Sequence, residues 1–191
     1  MPSPEKNQRY TYDDYCTWDD DKRWELYEGV AYLMFGDESC VRSPAPAWPH
    51  QRAGGKLHHR LAGFLEGKPL EVFYAPFDVR LNPETGDDTV FQPDLVICDP
   101  AILSKTGCKG APDFVVEILS PSTRSRDRVQ KFNAYLQAGV REYWIVDTDN
   151  QTIMVNLLEN GKYVSSTYGA GDIVPVHLLD GCEIALSDLF A

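Results

Sequence analysis

The chain has 191 residues, 43% of them apolar and 25% charged, with a formal net charge of −11, a composition that suits one compact globular domain with an ordinary core. It contains no run of eighteen apolar residues and no basic-then-apolar leader at Met1, so neither a membrane span nor a secretory signal is expected, and a cytoplasmic protein is. The acidic balance argues against a broad basic surface and tight nonspecific nucleic-acid binding, which rests mainly on phosphate neutralisation.

Cys16, Cys40, Cys98, Cys108 and Cys182 are scattered and never form C-x-x-C, so neither a zinc ribbon nor a disulfide framework is supported and the thiols are expected reduced. Residues 1–9 are polar and expected to be loose. In "TYDDY", Thr11 stands three residues before Asp14, the spacing of a capping box on a short helix. "RWELYEGVAYLMF" alternates as a β-hairpin does, with Glu28 and Gly29 at its turn. "VRSPAPAWPH" carries three prolines and reads as a loop. From His50 to Glu66, the spacing of Ala53, Leu57, Leu61, Phe64 and Leu65 predicts a helix that Gly67 ends, with His50 at its start on the apolar side. Lys56, His58, His59 and Arg60 form a basic group on that helix.

Residues 70–81 and 89–100 read as two strands joined by the turn-rich "NPETGDD". Residues 110–123, "GAPDFVVEILSPST", predict a strand buried on both faces, which Ser120, Ser122 and Thr123 end while capping the next helix. That helix has Val129, Phe132 and Leu136 as its inner stripe and Gly139 just past its end. Its leading basic run, Arg124, Arg126, Arg128 and Lys131, is either a phosphate-facing patch or an ordinary solvated face. Further strands follow in "REYWIVD", "TIMVNLL" and "KYVSSTY". The order predicts an α+β (α/β) fold with a mixed central β-sheet flanked by helices.

Glu117 is the oddity of this pattern, a carboxylate with Val115, Val116, Ile118 and Leu119 around it. An unpartnered buried carboxylate costs several kcal/mol or takes up a proton, so a cation, an Arg or Lys, or a metal must offset it. Asp94 repeats the oddity: it follows Pro93 at the mouth of the apolar "LVIC". Two carboxylates on adjacent central strands are what Mg²⁺ takes, with water and phosphate filling its other positions. Asp113 and Asp78, near strand ends, are read as structural acids.

"QPDLVIC", "GAPDFVVEILSPSTRSRD" and "KFNAYLQAGVREYWIVD", with "LYEGV" and "PH" upstream, resemble the Uma family of restriction-endonuclease-like proteins, a branch of the PD-(D/E)xK nuclease superfamily, over roughly residues 10 to 185. The resemblance implies a restriction-endonuclease-like fold, hydrolysis of DNA and a Mg²⁺ or Mn²⁺ cofactor. It implies metal-binding roles for Asp94 and Glu117, a further acid in Glu28 and a phosphate contact or acid-tuning role for His50. The motif's lysine is replaced by Leu119, and the resemblance implies that the following helix supplies the cation, as Lys131. By the helical wheel Lys131 lies about 130° from the centre of the Val129, Phe132, Leu136 stripe, so it either reaches inward along its stem or pairs with Asp127 on a solvated face. The rival of a metal-dependent endonuclease is a catalytically inactive nuclease fold that binds nucleic acid or protein. Oligomeric state is open, a homodimer included.

Overall fold

The structure, a computed structural model, describes residues 3–5, 7–34, 46–119 and 126–191, the side chains of 126–128 excepted. Ser120, Ser122, Thr123 and Arg124, and the side chains of Arg126, Asp127 and Arg128, lie outside the described residues.

Thr11 caps α1 (Tyr12–Tyr15), with the reciprocal Thr11–Asp14 bonds of a capping box. Strands β1 (Trp24–Tyr27) and β2 (Val30–Leu33) form the hairpin. Glu28 and Gly29 have φ of +49° and +77°, the left-handed pair that matches the twist of a two-residue hairpin loop. Helix α2 (Trp48–Leu65) begins two residues before His50, with Pro49 in its first turn, where a missing N–H costs nothing. Ala53, Leu57, Leu61 and Leu65 are its buried stripe.

Both long predicted strands divide. Residues 70–81 become β3 (Glu71–Tyr74) and β4 (Asp78–Arg80); residues 89–100 become β5 (Val90–Phe91) and β6 (Leu95–Cys98). The halves belong to different sheets. β5 and β4 join β2, β1 and β7 (Gly107–Lys109) in a five-stranded sheet of order β2-β1-β5-β4-β7. β3 and β6 join β8 (Phe114–Ile118), β9 (Glu142–Asp147), β10 (Thr152–Glu159) and β11 (Lys162–Tyr168) in a six-stranded sheet of order β11-β10-β9-β8-β6-β3. Proline at 76 and 93 explains the breaks: without an N–H, neither can continue a ladder. The chain therefore crosses between sheets at Gln92, Pro93 and Asp94.

In the larger sheet only β8 and β9 are parallel, joined through α3 (Arg126–Ala138) as a crossover helix. Leu57, Leu61 and Leu65 of α2 pack on one face with Leu95, Ile97, Phe114, Val116 and Trp144. Ala134 and Tyr135 of α3 pack on the other with Val96, Val115, Tyr143 and Ile145. A hairpin, β12 (Ile173–Pro175) with β13 (Glu183–Ala185), and α4 (Leu186–Phe190) complete the α2 side. The expected α+β fold with a mixed sheet flanked by helices is what the chain forms.

The inner stripe predicted for α3 is corrected. Val129 is 63% exposed, whereas Lys131, Ala134 and Tyr135 are buried. Spacing of three and four recurs, but its phase is set by a lysine and a tyrosine that carry polar heads into the interior. No described helix is long and apolar enough to cross a membrane. Cys98, Cys108 and Cys182 are buried free thiols and Cys16 an exposed one.

Candidate active site

Asp94 and Glu117 come together because β6 and β8 run antiparallel with Leu95 opposite Val116. One step further, the same register sets Asp94 opposite Glu117. Asp94 leaves the ladder at the seam between the sheets, and its Oδ2 accepts a hydrogen bond from the main-chain N–H of Ile118 at 2.7 Å. Its Oδ1 lies 3.3 Å from Nε2 of His50. The first turn of α2 thus reaches the end of β6.

On the α3 side, Lys131 Nζ donates to Oε1 of Glu117 and to Oε1 of Glu25, each at 2.9 Å. The Tyr135 hydroxyl, one helical turn later, donates to the same Glu117 oxygen at 2.8 Å. Both donors lie on one side of α3 because their spacing of four residues nearly completes a turn. Among the described residues, Oε2 of Glu117 accepts from no donor. Glu25, in β1, is itself held by the Gln92 main-chain N–H at 2.8 Å. Gln92 is fixed in turn: its side-chain oxygen accepts from Arg23 at 2.6 Å, and its amide donates to Tyr15 and Asp78 at 2.8 and 2.9 Å. Tyr12 also donates to Asp78. A polar network in the smaller sheet therefore positions Gln92, and through it the Glu25 carboxylate that meets Lys131.

Glu25 is the acid that sequence reasoning missed. Glu28 sits in the hairpin turn and lines a different cavity with Asn82, Asp88, Thr89 and Gln137; the hairpin's carboxylate at Lys131 comes from Glu25. Strand alternation contained the signal. Glu25 and Tyr27 share a face of β1, whereas Glu28 belongs to the turn.

The electrostatics follow from two carboxylates, Glu117 and Glu25, on one ammonium, with the charge of Asp94 acting on Glu117 as well. Burial pushes the Glu117 carboxyl up to about 7; Lys131 opposes this, and the charges of Glu25 and Asp94 add to it. Burial alone would lower the pKa of Lys131, but Glu117 and Glu25 raise it well above the usual lysine value, so its charge is secure. His50 shows the same competition: burial lowers its pKa, and the hydrogen bond and charge of Asp94 reverse this to a net rise. Burial and the Glu117 charge keep Tyr135 protonated, as a donor. Glu142 is the useful contrast. It is also buried with a raised pKa, yet it accepts from Trp144 Nε1 and from the main-chain N–H groups of His177 and Leu178. Its oxygens are spent on structure, whereas the cluster around Glu117 keeps a negative surplus.

That surplus and the all-oxygen character of Asp94 and Glu117 match the chemistry of a hard divalent cation, which one or two carboxylates, waters and a phosphate suffice to hold. No preformed cage of three or more His, Cys, Asp or Glu side chains is present among the described residues. Asp94 also faces a cleft of about 330 Å³ whose walls include His50, Gly54 and Gly55 of α2, Tyr74 and Ile118.

The model of the Uma2 family, described as "Putative restriction endonuclease", matches residues 11–187. An uncharacterized protein of Synechocystis sp. is 25% identical over 165 residues, covering 84% of this chain and 80% of its own length. The crystal structure of "a putative nuclease belonging to DUF820" from Anabaena variabilis superposes with a TM-score of 0.72, covering 95% of this chain and 97% of that one at 19% identity; a likeness at that identity speaks for the fold.

Proposed function

The chain belongs to the Uma2 family, and from that premise and the acid–lysine cluster we propose that it is a metal-dependent endonuclease that hydrolyses phosphodiester bonds of DNA. Asp94 and Glu117 would hold the cation, Mg²⁺ or Mn²⁺. When bound, such an ion supplies Lewis-acid polarisation of a phosphate oxygen and a water of lowered pKa. The observation that carries this reading is the division of labour on Glu117. One of its oxygens is held by Lys131 and Tyr135, the other accepts from no donor among the described residues, and the charge of Asp94 acts on the same carboxyl.

The chain's own groups have separate tasks in this scheme. Lys131 favours the ionised form of Glu117 against the effect of burial and would hold positive charge where phosphate charge develops. It takes this place from a helix, since Leu119 occupies the motif's lysine position. Glu25 fixes the ammonium from the opposite side. His50 holds Asp94 and, when protonated, brings a second positive charge to the cleft.

A binding module that does not cleave is the second reading, and one observation favours it: Lys131, Glu25 and Glu117 already satisfy one another as a buried ion network. Incubating the protein with supercoiled plasmid and with single-stranded DNA, in Mg²⁺ or Mn²⁺, separates the two. The nuclease reading expects cleavage that EDTA and Asp94→Ala both abolish. Cleavage that survives Asp94→Ala, or none with either ion, supports the binding module.

A further inference from the structure

The cleft beside Asp94 has walls that a phosphate site does not need. Tyr74, at the end of β3, is 63% exposed, although Val72 and Leu95 beside it belong to the cluster packed against α2. It stands opposite Leu95, next to Asp94, and the Ala75 N–H donates to the Asp94 carbonyl at 3.1 Å. Its ring meets that of His58 of α2 edge-on, with centroids 4.9 Å apart and planes at 76°. An aromatic ring is thus braced upright at the cleft while most of its surface faces solvent.

Part of the wall that α2 contributes is bare backbone, at Gly54 and Gly55. Gly54 and Gly55 lie within α2, where a glycine is destabilising relative to alanine. Packing accounts for the first, because a Cβ at Gly54 would stand 3.3 Å from Cδ1 of Ile118. It does not account for the second, since a Cβ at Gly55 would meet nothing within 4 Å. Gly55 keeps space open on the cleft side of the helix. Gln51 and His58 place side-chain hydrogen-bonding groups along that same wall. Among the described residues, the lining has no lysine or arginine, and the chain's net charge is −11. Affinity for nucleic acid at this cleft therefore draws little on phosphate neutralisation beyond what His50 supplies, and base stacking is the sequence-tolerant alternative.

We propose that this cleft seats an unpaired nucleobase against Tyr74, in the space left by Gly54 and Gly55, and that the chain's substrate is accordingly single-stranded DNA. The cleft volume, about 330 Å³, lies at the low end of small-ligand pockets, about 300–1,000 Å³, and admits one base but no stacked pair of strands. A base in this seat places its own backbone beside Asp94. Bases inside a duplex are stacked on their neighbours and cannot enter. The inference rests on the nuclease reading for what happens to the strand, and on the cleft alone for what binds.

Fluorescence anisotropy in EDTA tests the seat without requiring cleavage. The probes are a labelled short oligodeoxythymidylate, its duplex with oligodeoxyadenylate, and an abasic strand of the same length. Wild type is expected to bind the thymidylate about tenfold or more tightly than the other two, the scale of one lost base stack. Tyr74→Ala should remove that preference and Tyr74→Phe should keep it. A thermal melt checks that Tyr74→Ala is folded. Gly55→Leu, which fills the cleft while leaving the ring in place, should weaken thymidylate binding in parallel. Equal affinity for the abasic strand, an equally tight duplex, undiminished binding by Tyr74→Ala or no binding to any probe overturns the proposal. Metal-dependent cleavage without a base preference overturns the seat and leaves the nuclease reading standing. Base-dependent binding without cleavage does the reverse.

Discussion

Lys131 holds Glu117 at 2.9 Å, fourteen residues away in sequence, and the same ammonium lies 2.9 Å from Glu25, on a strand of the other sheet. One side chain of the crossover helix therefore ties both sheets together at the point where Asp94 leaves its strand. Removing it would leave two buried carboxylates facing each other.

For Lys131→Met, urea denaturation at about pH 8 should show a loss of about 3–5 kcal/mol, the cost of breaking a buried ion pair from one side. Adding Glu25→Gln to that variant should restore part of the loss, because one uncompensated charge disappears. Additive losses in the double variant would mean that the two groups do not interact.

The pH dependence of stability without metal follows from Glu117. Its folded-state pKa, about 7, lies above the ordinary value of 4.5, so the folded chain holds the proton more tightly than the unfolded chain. Stability is then greatest below the unfolded value and falls as pH rises from 4.5 to about 7. The raised pKa of His50 acts in the same direction: its contribution is present below about 6.5 and lost as pH rises through the folded value. Lys131 stays charged throughout this window. Urea midpoints in EDTA from about pH 4 to 8 should fall for wild type, and more shallowly for Glu117→Gln. A wild-type midpoint that climbs across that range contradicts the assignment.

His50 offers a local readout of the same field. Asp94→Asn removes the charge that holds its imidazole pKa up, leaving the opposing effect of burial. The C2–H proton resonance of His50 should therefore titrate at lower pH in the variant. An unchanged titration would show that the 3.3 Å contact carries no energetic weight.

How much of this was legible depended on whether a residue's partners were local. The Thr11–Asp14 box, the α2 stripe and the hairpin turn at Glu28 and Gly29 are set by neighbours within a few residues, and each could be read directly. The anomaly of Glu117, an acid within an apolar strand, was also visible. Glu25 was not, because its partners Lys131 and Gln92 are supplied by other elements, and an acid alternating within a hairpin resembles any solvent-facing residue. The phase of α3 was misread for a related reason. Lys131 and Tyr135 count as polar on a helical wheel, so the wheel put Val129 inside, yet burial of a lysine is stable here only because two carboxylates await it. The division of residues 70–81 and 89–100 between two sheets needed more weight on Pro76 and Pro93 than on the surrounding apolar residues.

The claim on which the account turns is that Asp94 and Glu117 form a cation site, and Mn²⁺ titration followed by electron paramagnetic resonance reads it directly. Wild type should bind one or two Mn²⁺ ions, more weakly below about pH 7, where the proton on Glu117 competes with the metal. Asp94→Ala and Glu117→Gln should each lose this binding, whereas Glu28→Gln, at the hairpin turn, should retain it. Binding that is unaltered in the first two variants, or absent from wild type at millimolar Mn²⁺, would contradict the account and leave the cluster as a structural ion network.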